Sequence, residues 1–433
     1  MSQSPPISNP SWENKLFSGL QDLRDTLQGV LKSTPDVDLD IINDLNTHYA
    51  VPIFIGSDKQ QMNLFLRTEA HRSMIYSTDA PFNTSGYCST VPNRFSPFSS
   101  TSYVNTSTPV YVDGGSQFLE GDISEETISF DSSLTYKAES FKFLLGTNQF
   151  YFYDCDSGYL GLARPSEGQE YPSLIQLLFD QGRISSKVFS LYLNSDTIVQ
   201  SSTMQLGGYD TTYLKTPELG IQYIPLVDDP ISWITEVSAV RVGLSGNLGW
   251  TFSTPGYATI VSGSTFLHIP QKVFPTVMKA LLKNVDAQLS PYGFYQTLDC
   301  DTSHYDALYL QMGDHYFAFP PEIYLYKEEA ECVLLFMSNS DDTWVLGNSF
   351  LRSYYSVWDH ENNRLGLSPH KTSEVDVVTV ADVPLPKKTF QETTVVDIAL
   401  EVVKIAALGV SAATAVGTMI FLADVIFTNM FKA

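Results

Sequence analysis

Trp344-Val345-Leu346-Gly347-Asn348-Ser349-Phe350-Leu351-Arg352-Ser353-Tyr354-Tyr355-Ser356-Val357-Trp358-Asp359 is the stretch against which the rest of the chain can be registered. Trp344 to Leu346 is a short apolar run, Gly347 and Asn348 punctuate it, and Tyr354 to Trp358 is rich in aromatic and β-branched residues. The pattern predicts strand, turn, short helix and a second, buried strand. The chain around it has 433 residues, enough for two ordinary domains or one large bilobal one. Aromatics at 13%, with 26 Gly and 23 Pro, point to many short strands joined by turns, and so to an all-β class. A formal charge of -23, from 48 acidic and 25 basic residues, repels nucleic acid and argues against phosphate-backbone binding. Cys88, Cys155, Cys300 and Cys332 are too few and too scattered for a zinc ribbon, which leaves disulfides or buried thiols. The seven His residues show no ligand spacing, so no metal and no cofactor are expected.

Strand alternation begins at Tyr49. Val51, Ile53 and Ile55 lead to Gly56, Ser57, Asp58 and Lys59, and Met62, Leu64 and Leu66 follow, which is strand, turn, strand. Before it, Ser11 to Lys32 spaces Leu16, Leu20, Leu23, Leu27 and Leu31 as one amphipathic helix opening at Ser11. No apolar stretch near Met1 has the length of a secretory signal. At the other end, a polar, Pro-containing linker runs to about Thr394, and Ile405 to Ala423 then carries no charge over nineteen residues. As a helix that is roughly 28 Å, close to a bilayer core, so a transmembrane helix is expected there. Gly409, Ala413 and Gly417 recur at four-residue spacing, as in helices that pair inside membranes.

As a string, Trp344 to Asp359 resembles the Trp-Ile-Leu-Gly-Asp-x-Phe-Leu-Arg-x-Tyr-Tyr-x-Val-Phe-Asp stretch of pepsin-like aspartic proteases. That family works through two Asp-Thr-Gly loops. Ile55 to His71 is similar, without a gap, to the family's first turn, strand and loop, and Arg67 falls at the first catalytic Asp. Thr68 keeps the motif Thr, Glu69 replaces the Gly, and Ala70 and His71 replace two Ser residues. Phe95 to Tyr103, Tyr111 with Asp113 to Gly115, Ser157 to Ala163, Tyr171 to Leu193, Met204 to Asp210 and Tyr223 to Val237 continue the resemblance. Tyr111 sits where the family has its flap tyrosine. In the second loop, Ile260-Val261-Ser262-Gly263-Ser264-Thr265, the simplest reading puts Ser262 at the Asp, deletes the Thr and keeps Gly263 as the motif Gly. That reading also implies that the crossing between the loops has relaxed. The resemblance further implies a disulfide between Cys300 and Cys332, with Cys88 and Cys155 a weaker pair, and a helical prosegment at the place of residues 11–32. The mixed charge of that helix argues instead that it packs on the body.

The resulting expectation is a bilobal pepsin-like double β-barrel, all-β dominated, with a few short helices and a C-terminal transmembrane helix. Its parts are an N-terminal helical segment at 1–46, lobes at 47–195 and 196–370, a linker at 371–395 and a membrane segment at 396–433. Aspartic proteolysis needs two carboxylates about 3 Å apart sharing a proton. Arg67 stays cationic and Ser262 is neither acid nor base, so the expectation is a catalytically dead cleft that holds a peptide or protein ligand through Arg67, Tyr111 and Ser262. Arg67 on the floor favours an acidic ligand. An active endopeptidase with another acid pair is the second reading, and a structural subunit of a membrane complex is the third. A hydrolase built on Ser262, His71 and Glu69 is disfavoured, because Ser262 lacks a nucleophile-elbow setting. Asn83-Thr84-Ser85 and Asn105-Thr106-Ser107 are glycosylation sequons that suit a lumenal or extracellular body. The missing signal and the short tail after Ala423 suit instead a tail anchor with a cytosolic body.

Overall fold

The computed structural model describes residues 35–44, 46–80, 93–113, 118–150, 157–164, 171–195, 201–227, 232–244, 249–328, 330–383 and 388–390. The expected helix at 11–32, Asn83, Cys88, Cys155 and the expected membrane helix at 405–423 lie outside them. No helix among the described residues is long and apolar enough to cross a membrane.

Alternation of apolar and polar residues, with turns between, produces strands almost throughout. One sheet runs through Gln222–Pro225, Arg364–Pro369, Tyr354–Asp359, Val188–Tyr192, Ser202–Leu206 and Val37–Asp44, and continues into His48–Ile55, Gln60–Arg67, Gly158–Gly161 and Met74–Tyr76. Its far edge is Lys137–Phe150, Phe118–Ser129 and Val104–Asp113. The first six of these strands come from the start, the middle and the end of the described chain and join the lobes. A second sheet centres on Gly249–Ile260 and Ile234–Val242, and a small one, with Tyr295–Thr297 and Glu331–Leu334, carries the Cys300–Cys332 disulfide. That bond closes a separation of 32 residues, a loop whose entropy is worth roughly 3 to 4 kcal/mol.

The opening stretch folds as expected, into strand Thr343–Leu346, helix Asn348–Leu351 and strand Tyr354–Asp359, the last buried along its whole length. Trp358 stacks on Phe189 at 5.4 Å and meets Trp233 edge-on at 4.9 Å, while Trp233 donates its Nε1–H to Leu162 O at 3.1 Å. This cluster ties the sheet shared by the lobes to the first lobe's loop region.

Two boundaries move. Val37–Asp44 pairs with Ser202–Leu206 and its apolar residues alternate inward, so these residues belong to the central sheet and not to a separate N-terminal segment ending at 46. Val378–Thr379 pairs with His315 and Tyr316, and Lys388–Phe390 pairs with Trp250 to Phe252, so much of the expected linker is strapped to the second lobe.

His370 is 3% exposed, its Nε2–H donating to Arg352 O at 2.5 Å and its ring edge-on to Tyr192. Burial pushes its pKa down to about 4. The unfolded chain then binds the proton first as pH falls below about 6.5, so stability is full above that value and drains away towards pH 4. The loss from this one group amounts to about 3 kcal/mol. Urea midpoints at pH 7 and pH 4.5 should converge in His370→Gln relative to the parent. An unchanged pH slope in that variant would exclude His370 as the cause.

Candidate functional site

Two loops meet at the centre of the molecule, and each follows a strand that pairs in parallel with a second strand ending in Leu-Gly or leading into it. In the first, Leu66 and Arg67 end a strand and run parallel to Leu160 and Gly161, and the Leu162 N–H donates to Arg67 O at 2.9 Å. In the second, Ile260 runs parallel to Leu346, and the Val261 N–H donates to Leu346 O at 3.0 Å. Behind each loop stands a Leu-Gly pair. A Cβ on Gly161 would lie 2.6 Å from Ala70 O, and one on Gly347 would overlap the carbonyls of Ser264 and Phe266, so backbone packs on backbone and only glycine fits.

The loops hold each other through a reciprocal set of four hydrogen bonds. Thr68 Oγ1 donates to Ile260 O at 3.2 Å and accepts the Ser262 N–H at 3.0 Å. Ser262 Oγ donates to Leu66 O at 2.6 Å and accepts the Thr68 N–H at 3.0 Å. Each hydroxyl therefore bonds the carbonyl two residues before its partner and the amide of the partner itself. Thr68 and Ser262 are counterparts, and it follows that Arg67 and Val261 are counterparts too. This corrects the reading of the second loop: Ser262 does not stand where Arg67 stands, no residue is missing, and Val261-Ser262-Gly263 aligns with Arg67-Thr68-Glu69 position for position. The crossing has not relaxed either. Thr68 is fully buried and Ser262 is 3% exposed, and the clasp satisfies both hydroxyls and both amides. Buried Asn348 braces it, donating from Nδ2 to Ser262 O at 2.7 Å and to Thr47 O at 3.1 Å.

The floor of the cleft is set by what flanks the clasp. Arg67 lies over the Tyr159 ring at 5.2 Å and its Nη1 is 3.6 Å from Glu69 Oε1, with the two side chains 27% and 30% exposed. Glu69 reaches across to the second loop, where its Oε1 fills the space a Cβ at Gly263 would need. Burial raises the Glu69 pKa, against the lowering by its backbone hydrogen bonds and by Arg67. Val261, opposite, is apolar and 7% exposed.

The expected residues are thus partly assembled. Arg67, Thr68, Glu69, Ser262 and Gly263 converge. His71 is exposed, and partial desolvation of its ring together with nearby Arg72 lowers its pKa. It does not enter the clasp, and the Ser262 hydroxyl is spent on backbone, so the Ser262, His71, Glu69 arrangement is not built. Tyr111 lies on the Val104–Asp113 hairpin opposite Glu120, 60% exposed, and takes no part in the contacts that join the loops. Asn105 is exposed at a bulge of the same hairpin, its Nδ2 on the Asp122 carboxylate at 3.1 Å. Val261, Tyr159 and Asn348 were not anticipated. Only an ungapped reading of the second loop would have pointed to Val261.

A family model described as eukaryotic aspartyl protease matches residues 48–370. Among curated proteins the chain is 27% identical to pepsin A of Gallus gallus, over 76% of this chain and 85% of that one. It is 29% identical to gastricsin of Oryctolagus cuniculus, over 75% and 82%. It is 26% identical to pregnancy-associated glycoprotein 2 of Bos taurus, over 76% and 83%.

Proposed function

The chain belongs to the eukaryotic aspartyl protease family, and we propose that within it this protein has exchanged hydrolysis for binding, keeping the cleft as a groove for an extended peptide or a protein segment. The observation that carries the proposal is the clasp, because it identifies the two positions at which a carboxylate dyad would have to stand. They hold Arg67 and Val261. Arginine is a permanent cation and valine has no proton to exchange, so no pair of groups is left to activate a water and protonate a carbonyl together. Glu69 supplies one carboxylate to the floor, beside Arg67 and over Gly263, and one carboxylate cannot serve as acid and base in the same step. An extended ligand would bind through main-chain hydrogen bonds and side-chain pockets, as strands are recognised elsewhere.

The charge-free run at Ile405 to Ala423 supports anchoring in a membrane. The Cys300–Cys332 disulfide and the exposed sequon at Asn105 support a lumenal or extracellular body, with Asn105 glycosylated.

The deciding experiment incubates the full chain in detergent with denatured casein from acid to neutral pH. No cleavage above the buffer rate is expected at any pH. Cleavage abolished by a transition-state peptide inhibitor would end the proposal and favour an endopeptidase with a different acid pair.

A further inference from the structure

We propose that the Arg67 guanidinium and the Gly263 N–H form a carboxylate-binding site spanning the two loops, and that Glu69 is its intramolecular occupant. The inference rests on the reading of the cleft as a non-catalytic peptide groove and names the group that the groove takes. That group is a peptide carboxylate, either a chain terminus or an Asp or Glu side chain.

Three observations support it. First, the Glu69 carboxylate is not turned out to solvent. It crosses to the other loop, with Oε1 lying over Gly263 where any side chain would collide with it, and a Cβ there would also come within 3.1 Å of Arg67 Nη1. A cationic side chain of one loop and the Gly263 backbone of the other therefore flank one carboxylate oxygen, and a cation and a backbone N–H are the groups with which proteins hold a carboxylate. Second, Glu69 fills this place poorly. Its separation from Arg67, 3.6 Å, exceeds the roughly 2.8 Å of a good charge-assisted bond. Arg67 Nε and Glu69 Oε2 are both buried without a partner. Placed over Gly263, the Glu69 carboxylate does not meet the guanidinium face to face, whereas a free carboxylate can do so through two parallel bonds. Third, Arg67 has a second support besides Glu69, the Tyr159 ring, over which its guanidinium lies at 5.2 Å. When Glu69 leaves, the cation stays in place and the floor becomes positive, in a chain whose overall charge is -23.

The test compares two fluorescein-labelled tetra-alanine peptides, one with a free C-terminal carboxylate and one with a C-terminal amide, binding to the full chain at pH 7 by anisotropy. Glu69→Gln keeps the side-chain shape and removes the competing charge. It should tighten the free acid about tenfold and the amide less than twofold. Arg67→Met should bring acid and amide to equal affinity, and thermal melts of each variant check that the fold is intact. If both peptides bind and Glu69→Gln moves them equally or not at all, the carboxylate site is wrong and the groove reading stands. If neither peptide binds any variant, the groove reading fails and this inference fails with it.

Discussion

Arg67→Asp combined with Val261→Asp and Glu69→Gly is expected to turn the protein into an endopeptidase. Position 67 and position 261 are related by the clasp, since each precedes a hydroxyl residue that bonds the opposite loop in the same way. Aspartates placed there would face each other across the approximate two-fold axis, each on a backbone already fixed by its neighbours. Two carboxylates at that separation cannot both ionise, so they hold one proton between them, and one can act as base while the other acts as acid. Glu69 has to go as well, because its carboxylate lies over Gly263 and would put a third negative charge against the pair. Neither aspartate alone should raise casein cleavage above background, and the triple variant should exceed either by at least roughly a thousandfold, the scale expected when acid and base work together. A triple variant that melts like the parent yet cleaves nothing at any pH would show that the floor is not what withholds catalysis. The cause would then lie in the hairpin carrying Tyr111 or in the groove walls.

Much of this architecture is legible in the sequence because it is local. The run from Trp344 to Asp359 carries its own period, punctuation and aromatic content, and the helix Leu174–Asp180 announces itself through Ser173 before it and the Gln181-Gly182 stop. The strand Val37–Asp44 was just as legible, since Val37, Leu39 and Ile41 alternate with Asp38 and Asp40, but it lies beyond the stretch that resembles known proteins. The pairings of Val378–Thr379 and Lys388–Phe390 are different. They involve strands of two and three residues, too short to show the alternation that marks a strand. The second loop failed for a third reason. A serine beside a glycine can be slid by one place at no visible cost, and what fixes its register is a hydrogen bond to Leu66, 196 residues away. One-residue slips of this kind exchange the residue that lines the cleft for the one that holds the loops together.

Ser262→Ala is the sharpest test of that register, and it is expected to destabilise the fold by roughly 2 to 4 kcal/mol. The substitution deletes one oxygen, but it strips two backbone groups of their partners, the Thr68 N–H and Leu66 O, in a place where water has little access. Had Ser262 been a cleft residue, as the slipped reading supposes, its truncation would fall among surface changes worth less than about 0.5 kcal/mol. Ser262→Thr should preserve stability, because its hydroxyl can make both bonds. Thr68→Val should cost a similar amount through the mirror-related pair, Ser262 N–H and Ile260 O. The double variant should cost less than the two singles added together, since loops released by the first change let water reach the groups exposed by the second. Urea unfolding of the parent and the four variants measures all of this. Additive losses would mean that the two hydroxyls act independently, and a Ser262→Ala midpoint equal to that of the parent would return Ser262 to the cleft and Val261 to the core.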